Sequence, residues 1–300
     1  MRQSDEHIPV LATELIALLQ LEPQNTVVDL TLGRSGHAKL VVQKLSSEGT
    51  FIGFDADQMQ ISFAQEQFRD CTPKTHFIHS NFVQITAQLA ALGIKKVDRI
   101  YADLGLSTVQ LLDHKRGFSF QSDSALDMRL DPTSSSPSAA QVIASADEGE
   151  LATIFQNYGE EHEAQAIAAA IVKARTISPI LTGIALADIV KQAKRRFTKR
   201  IHPATQVFQA LRMHVNDELK VLEDMLQQIP ALLHPQGRLA ILTFHSLEDR
   251  LVKNIFKAWS QADTMILVNK KVIRPTWAEK QQNPRARSSY LRVVEKPSLQ

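Results

Sequence analysis

The segment TVVDLTLGRSGHAKLVVQKLSSEGTFIGFD, which runs from Thr26 to Asp55, decides the fold. An apolar strand ends in Asp29, a glycine-containing turn leads into a helix, and a second apolar strand ends in Asp55. A helix N-terminus offers free backbone N–H groups to a ligand, and a carboxylate at the tip of the next strand is typical of ribose recognition. The segment therefore predicts the first half of an α/β sheet that binds a nucleoside-type cofactor.

The turn favours one kind of cofactor. Gly33-Arg34-Ser35-Gly36 has the pattern G-x-x-G, whereas dinucleotide sites use G-x-G-x-x-G. Asp29 precedes this turn, and a carboxylate there would repel a pyrophosphate but attract a cation. S-adenosylmethionine, which carries an ammonium and a sulfonium group, is the better match. A structural alternative stays open, in which Asp29 caps a turn and Gly36 supplies a positive φ.

Composition sets broad limits. The 300 residues are 44% hydrophobic, enough for a large core or two domains, and carry a net charge of only +2. The single cysteine, Cys71, fits a reducing compartment. The first residues, MRQSDEHIPV, lack the apolar region of a signal peptide, and no run is long enough for a membrane span, so we expect a cytoplasmic protein. No H-E-x-x-H motif or cysteine pair predicts a metal site.

Short apolar runs alternate with helical patterns, which predicts a parallel sheet with crossover helices. A final pair of strands would complete the seven-stranded, Rossmann-like sheet of class I S-adenosylmethionine-dependent methyltransferases, in which the last strand is antiparallel. The predicted strands are Thr26–Leu30, Thr50–Asp55, Thr75–His79, Val97–Asp103, Arg238–Phe244, Thr264–Val268 and Tyr290–Val294. The predicted helices between them include Val83–Leu92, Asp217–Ile229 and Leu247–Trp259.

The alternation stops after the fourth strand. Residues 104–136 form a long polar segment, predicted to be a loop, and residues 138–212 have a helical pattern. Ser145-Ala-Asp-Glu148 is predicted to be a capping box, and Leu151, Ile154, Phe155 and Tyr158 share one helical stripe. We therefore predict a cofactor-binding domain of residues 1–110 and 216–300, with an inserted loop and helical domain at residues 111–215.

Polar residues follow four predicted strands, where ligands bind in open parallel sheets. We expect Asp55 to hold the ribose hydroxyls, Phe82 to lie against the adenine, and Asp103 to stand nearest the transferred group. Each residue also has a structural alternative: Asp55 as a helix cap, Phe82 as core, and Asp103 as a turn residue. Asp103-Leu-Gly-Leu replaces the D/N-P-P-Y/F of many amino-methyltransferases, so these residues leave the acceptor atom open.

Basic residues cluster in two places. Lys191–Arg200 holds six basic residues and no acidic one, and residues 270–292 hold seven basic residues and one acidic. Such clusters are typical of a nucleic-acid footprint or, equally, of a solvated face.

The longest motifs carry a family resemblance. They are HIPVL at His7–Leu11, DLTLGRSGH at Asp29–His37, DLGLSTVQLLD at Asp103–Asp113, RGFSF at Arg116–Phe120, LDMRLDP at Leu126–Pro132, YGEE at Tyr158–Glu161, HPATQVFQALRMHVNDEL at His202–Leu219, FHSLEDR at Phe244–Arg250 and NPRARSSYLRV at Asn283–Val293. On these motifs, which cover nearly the whole chain, the protein resembles the bacterial ribosomal RNA small-subunit methyltransferase H (MraW) family.

The resemblance implies methylation of N4 of a cytidine in 16S ribosomal RNA near the decoding centre, with S-adenosylmethionine as cofactor. It implies that the helical insertion helps to receive RNA, and that the partner is 16S ribosomal RNA or the small ribosomal subunit. The implied cofactor contacts are Gly33, Ser35, Gly36, His37, Asp55, Phe82, Asp103 and Gln110. This chain has Ser35 where the family usually has glycine, Leu32 for phenylalanine, and Thr108-Val109 for Ser-Pro.

A cytosine amine is a poor nucleophile, and the base must be unpaired or flipped to reach a pocket. Asp103 is the candidate catalytic residue, because its carboxylate can accept a hydrogen bond from the amine. Phe118 or Phe120 could stack on the base or anchor a loop. His245-Ser246 could line the acceptor side or form a helix N-cap.

Two other functions share some of these features. A nicotinamide-dependent oxidoreductase would keep the turn and Asp55 but needs a second glycine in the turn. A non-catalytic RNA-binding assembly factor could keep the fold without the chemistry, although Asp29, Asp55, Asp103 and Gln110 are all present. The sequence leaves the oligomeric state open, as well as the choice between free RNA and an assembled subunit.

Overall fold

The structure is a computed structural model that describes residues 9–196 and 202–298. Parts of two sequence features, the start of the HIPVL motif and residues 197–200 of the basic cluster, lie outside the described residues. The chain divides into two compact units, the first made of Met1–Leu106 and Leu219–Gln300 and the second of Ser107–Glu218. The boundaries predicted from the sequence were 110/111 and 215/216.

The first unit is built on a sheet of seven strands in the described part of the chain, in the order β3-β2-β1-β4-β5-β7-β6. The strands are β1 (Thr26–Asp29), β2 (Thr50–Asp55), β3 (Lys74–His79), β4 (Val97–Asp103), β5 (Leu233–Thr243), β6 (Ile266–Leu267) and β7 (Tyr290–Glu295). Strands β1 to β5 pair in parallel, and β7 is antiparallel to β5 and β6. The predicted sheet with an antiparallel last strand is confirmed.

Helices cover both faces of this sheet because successive strand residues point to opposite sides. Val27 belongs to the core under one face and Val28 to the core under the other. The helices of this unit are α1 (Ala12–Leu19), α2 (Gly36–Val42), α3 (Gln58–Gln67), α4 (Ile85–Ala91), α11 (Glu218–Leu232, whose first residue belongs to the second unit), α12 (Ser246–Gln261) and α13 (Trp277–Gln282). The second unit holds α5 (Thr108–Leu112), α6 (Ala139–Ser145), α7 (Glu148–Gly159), α8 (Ala164–Arg175), α9 (Gly183–Ala193) and α10 (Thr205–Val215).

Several predicted boundaries were wrong. The predicted helix Val83–Leu92 begins as a 3₁₀ turn at Phe82 and continues as α4. Helix α11 runs past Ile229 and contains Pro230, which near a helix end removes only one of the last hydrogen bonds. Strand β5 begins at Leu233, five residues before its predicted start at Arg238, since it continues to pair with β4 beyond a register shift.

The capping box of the second unit is also displaced from its predicted position. Asp147 accepts a hydrogen bond from the Glu150 N–H, and the Glu150 side chain accepts one from the Asp147 N–H. Ser145, the predicted cap, is the last residue of α6. An apolar stripe follows on α7, with Leu151, Ile154 and Phe155 buried. The stripe was therefore predicted correctly and its cap was two residues off.

The segment 104–136 is more ordered than a polar loop. It contains α5 and a 3₁₀ turn at His114–Arg116. Gly117 follows with φ 70°, and a Cβ there would lie 2.6 Å from the Ala125 carbonyl oxygen, so this close approach requires glycine. Arg116 donates to the carbonyl oxygens of Arg129 and Leu130. These contacts replace the repeating hydrogen bonds of regular structure, which is why periodicity did not reveal them.

None of the helices in the described ranges combines the length and apolar content that a membrane crossing requires.

Candidate functional site

Three carboxylates meet at one edge of the sheet in the first unit. Strand β1 pairs with β2 on one side and β4 on the other, all in parallel. Asp29, Asp55 and Asp103 are the last residues of these three strands. The carboxyl end of a parallel sheet is where ligands bind, so the predicted convergence of these residues follows from the strand order.

The turn after β1 packs its backbone against Asp55. Gly33 (φ 47°) and Ser35 (φ 61°) are left-handed, and α2 begins at Gly36. The proposed positive φ at Gly36 is therefore wrong, since that residue is helical and Ser35 takes the strained position. The Gly33 N–H donates to Asp55 Oδ2 over 2.8 Å. Ser35 is fully buried, and its Oγ has no hydrogen-bond partner among the described residues.

Asp55 uses both carboxylate oxygens to hold the backbone. Oδ2 accepts from Gly33, and Oδ1 accepts from the Asp57 N–H over 2.9 Å. Burial raises the pKa of Asp55 to about 6, against the effect of these two hydrogen bonds. Each carboxylate oxygen has a second lone pair, so ribose hydroxyls can still donate to it. The cap of α3 is Asp57, whose side chain accepts from Met59, and not Asp55.

Asp29 lies beneath the site and not in it. It is 1% exposed, its Oδ1 accepts from the Thr31 N–H over 2.9 Å, and its Oδ2 accepts from the Tyr101 hydroxyl over 2.8 Å. Burial raises its pKa to about 7. The expectation that Asp29 attracts a cationic ligand therefore gives way to the structural alternative, because a buried and bonded carboxylate stabilises the turn.

Asp103 combines a fixed backbone with one free oxygen. Its N–H donates to Thr31 Oγ1 over 2.6 Å, and its Oδ2 lies 3.3 Å from His37 Nδ1. Its Oδ1 is buried and has no hydrogen-bond partner among the described residues. A buried carboxylate oxygen without a partner is costly, and a ligand N–H or O–H would satisfy it. The site thus has an acceptor prepared for a donor that the chain does not supply.

His37 is held at both ring nitrogens. Its Nε2 lies 2.9 Å from the Val10 carbonyl oxygen and its Nδ1 faces Asp103. No sequence pattern indicated the contributions of Tyr101 and Val10, because one lies inside an apolar strand and the other in an irregular segment. Only the folded chain places them beside the strand ends.

Two other predicted cofactor residues have clear local roles. Phe82 opens the 3₁₀ turn after β3 and packs, partly buried, against the core, as its structural alternative predicted. Gln110 belongs to the second unit, where it is buried and forms a capping box with Ser107 at the start of α5.

The residues suggested for the acceptor side serve the fold. His245 is the N-cap of α12, with its Nδ1 accepting from the Glu248 N–H. Phe118 is buried, and Phe120 stacks on His202 with ring centroids 4.1 Å apart. Phe118 and Phe120 therefore anchor their loop, and His245 caps a helix. Neither phenylalanine has a face free to stack on a base.

Lys194, in the basic cluster Lys191–Arg200, is also structural. Its Nζ lies 2.5 Å from Glu161 Oε2 and donates to Gln206 Oε1, and the two charged side chains are 8% and 1% exposed. A lysine in a buried ion pair neither contacts phosphates nor belongs to a solvated face, so Lys194 fits neither alternative given for the basic cluster.

The strand order of the first unit, with β7 alone running against its sheet neighbours, is that of class I methyltransferases. Its strand-end carboxylates, with Asp103 Oδ1 lacking a protein donor, fit the ribose and amine donors of S-adenosylmethionine and an acceptor. The fold and site define an S-adenosylmethionine-dependent methyltransferase.

Comparison with known proteins identifies the particular family. The model of the MraW methylase family matches residues 4–297, and the chain belongs to that family. It is 40% identical to the ribosomal RNA small subunit methyltransferase H of Clostridioides difficile, over 97% of this chain and 98% of that protein. The Deinococcus radiodurans protein of the same name is 42% identical, over 97% and 89%. Family membership excludes the nicotinamide-dependent oxidoreductase.

Solved structures resemble the chain more distantly. An rRNA methylase from Streptococcus thermophilus matches with a TM-score of 0.46 and 11% identity, over 99% of each chain.

Proposed function

We propose that this enzyme transfers a methyl group from S-adenosylmethionine to N4 of a specific cytidine in 16S ribosomal RNA near the decoding centre. The proposal is supported by the ribosomal RNA methyltransferase names of relatives that match over nearly their full length. The observation that carries the chemistry is the unpartnered Oδ1 of Asp103, which suits an amine donor. The enzyme then acts in the cytoplasm, where its ribosomal substrate is.

Each of the strand-end residues is assigned to a different part of the cofactor. The turn Gly33–His37 would bind the cofactor, Asp55 would accept hydrogen bonds from its ribose hydroxyls, and Phe82 would contact its adenine. The bound cofactor supplies an electrophilic methyl group on a sulfonium.

Asp103 acts on the acceptor amine. A cytosine amine lone pair is delocalised into the ring, and a hydrogen bond from N–H to a carboxylate returns electron density to the nitrogen. The same bond fixes the nitrogen in the direction of attack, which is the larger part of such catalysis. The amine loses one proton as it gains the methyl group, and Asp103 Oδ1 accepts that proton before it passes to solvent.

RNA phosphates have a candidate docking surface in the first unit, which we call the α12–β6 pocket. Lys253 and Lys257 on α12 and Lys270 after β6 line it, together with the apolar Phe256 and Leu267; its other lining residues are Asn269 and Arg292, and Arg292 is paired with Asp249. The three lysines are exposed and have no ion pair within the described ranges. Unpaired lysines beside apolar side chains suit a phosphodiester backbone and contact it without reading its sequence.

Mass spectrometry of 16S ribosomal RNA from cells with and without the gene tests the assignment. We expect one N4-methylated cytidine to disappear with the gene and return with the parent protein. Asp103→Asn should fail to restore it, because an asparagine oxygen is a weaker acceptor and takes no proton. An exposed histidine at the start of β5 offers a matched control, and His234→Gln should restore methylation. Unchanged methylation in the deletion strain would leave the non-catalytic assembly factor as the better function.

A further inference from the structure

The contacts of His37 determine how many protons its ring carries. Its Nε2 lies 2.9 Å from the Val10 carbonyl oxygen, and a carbonyl oxygen only accepts hydrogen bonds. Nε2 therefore carries a proton. Its Nδ1 lies 3.3 Å from Asp103 Oδ2, a second acceptor when ionised. A neutral ring would turn the Nδ1 lone pair towards a carboxylate lone pair, so one more proton must lie between the two atoms.

The surroundings decide where this second proton resides. An imidazole has an ordinary pKa near 6.5 and a carboxyl group near 3.9, so the ring is the stronger base of the pair. Asp103 is in contact, and Asp29 contributes a further negative charge when ionised. The Tyr101 ring packs edge-on to His37, and its hydroxyl is bonded to Asp29. The charged groups with the largest effects on His37 are therefore Asp103 and Asp29, both acidic.

Two effects oppose a charged ring. Burial alone lowers the pKa of His37, but the hydrogen bond and charge of Asp103, with smaller effects of Val10 and Asp29, raise it above its ordinary value. His37 is also the second residue of α2, and a helix N-terminus disfavours a cation. That helix has only seven residues, and the carboxylate in direct contact outweighs its dipole.

We propose that His37 is an imidazolium that positions Asp103: it binds Oδ2 and leaves Oδ1 as the single acceptor for the amine. This inference rests on the proposed amine acceptor. It gives His37 a role in turnover beyond the cofactor contact that the family resemblance implies. The Thr31 hydroxyl fixes the Asp103 backbone and His37 fixes its carboxylate plane, so the acceptor oxygen has one orientation.

The charge state of His37 is measurable without substrate. Nitrogen-15 NMR of the histidine rings in the cofactor-free protein reports the protonation of both nitrogens, with the His37 signals identified by their loss in His37→Gln. We expect the titration midpoint of His37 to lie above the ordinary value of about 6.5, with both nitrogens protonated below that midpoint. Asp103→Asn should lower this midpoint by about one pH unit or more, a tenfold change in proton affinity. A His37 midpoint at or below the ordinary value would overturn the proposal.

Steady-state kinetics then test positioning. His37→Gln can still donate one hydrogen bond to Asp103 but carries no charge. We expect kcat to fall about tenfold or more, with less than about a threefold change in the KM for S-adenosylmethionine. The parent should lose activity on the alkaline side as His37 deprotonates, and the variant should lack that limb of the pH profile. A merely structural role would leave the pH profile unchanged.

The outcomes separate this inference from the proposed function. An enzyme that does not methylate ribosomal RNA but has a charged His37 would refute the function alone. A rise in KM with unchanged kcat would make His37 a cofactor contact only and overturn the positioning role. If His37→Gln fails to fold, sequential backbone assignment identifies the His37 signals instead, and the NMR titrations of the parent and of Asp103→Asn still decide.

Discussion

Ser35 is a strained residue in the cofactor turn. It has φ 61°, a fully buried side chain and a hydroxyl without a partner among the described residues. Left-handed backbone costs a non-glycine residue roughly 1–2 kcal/mol, and a buried unsatisfied hydroxyl adds to this cost. The family resemblance implies glycine at this position, so we expect the strain to be a departure particular to this chain.

Removing this strain should stabilise the protein. We expect Ser35→Gly to raise the free energy of unfolding by about 1 kcal/mol, after the entropy that glycine adds to the unfolded chain is subtracted. Ser35→Ala is the matched control, because it removes the hydroxyl and keeps the strained φ. Urea unfolding of the cofactor-free protein measures both. A glycine variant no more stable than the alanine variant would show that strain is not the cause.

The raised pKa values of Asp29 and His37 make the folded protein less stable as pH rises. The pKa of Asp29 rises from 3.8 unfolded to about 7 folded, because burial disfavours its charge. The folded state therefore binds more protons than the unfolded state between these values, and stability falls as pH rises through this range. The raised pKa of His37 acts in the same direction, since its stabilisation is lost as pH rises through the folded pKa.

Asp29→Asn should flatten this dependence. The amide keeps an acceptor for Thr31 and cannot ionise, so we expect the loss of stability between about pH 5 and about pH 8 to shrink by roughly 1–4 kcal/mol. Asp70→Asn changes an exposed carboxylate and is the matched control. Urea unfolding across this range measures the free energy of unfolding. If its dependence on pH is the same for the parent and Asp29→Asn, a pKa of about 7 for Asp29 is refuted.

At the scale of elements, the second unit is held together by a buried ion pair. Lys194 follows α9, Glu161 follows α7, and Gln206 on α10 completes the contact. Losing one member of a buried pair leaves an uncompensated charge, which costs about 3–5 kcal/mol.

We expect Lys194→Met to lower the free energy of unfolding by this amount, and the additional change Glu161→Gln in the same chain to restore most of it. Chemical denaturation is the measurement, and Lys191→Met, at an exposed position of α9, is the control. Equal effects of Lys194→Met and Lys191→Met would rule out the structural role.

At the scale of the whole molecule, the prediction concerns how RNA is held. Replacing Lys253, Lys257 and Lys270 of the α12–β6 pocket with glutamine should weaken binding to 16S ribosomal RNA or the small subunit. The slope of log affinity against log salt should flatten by roughly 0.7–0.9 for each phosphate that the variant no longer neutralises. Affinity for S-adenosylmethionine should stay unchanged, because the strand-end site is not altered.

A variant with the same change of charge provides the control. Lys44, Lys95 and Lys96 are exposed near the amino ends of β2 and β4, away from the carboxyl edge. Their glutamine triple variant should keep the salt slope of the parent. Filter binding at several salt concentrations compares the two, and equal slopes would mean that RNA binds elsewhere.

The sequence by itself determined the sheet and the positions of three carboxylates at the ends of its strands. Strands β2 and β4 were predicted to the residue, and parallel order alone brings Asp29, Asp55 and Asp103 to one edge. A strand can be predicted because its apolar run and its polar end are consecutive in the sequence. The meeting of the three carboxylates follows from the parallel order of the strands. The turn favoured the cofactor class, but partly through a charge on Asp29 that the folded chain buries, and the acceptor came only from the family resemblance.

Only the tertiary structure decided what each polar side chain contacts. It buried Asp29 under Tyr101, paired Lys194 with Glu161, and placed Val10 and Asp103 on opposite nitrogens of His37. Partners separated by tens of residues leave no periodic signal, and a lysine in a basic run looks the same whether solvated or buried. Protonation depends on burial and on charges a few ångströms away, so the state of His37 was fixed by packing and not by its neighbours in the chain.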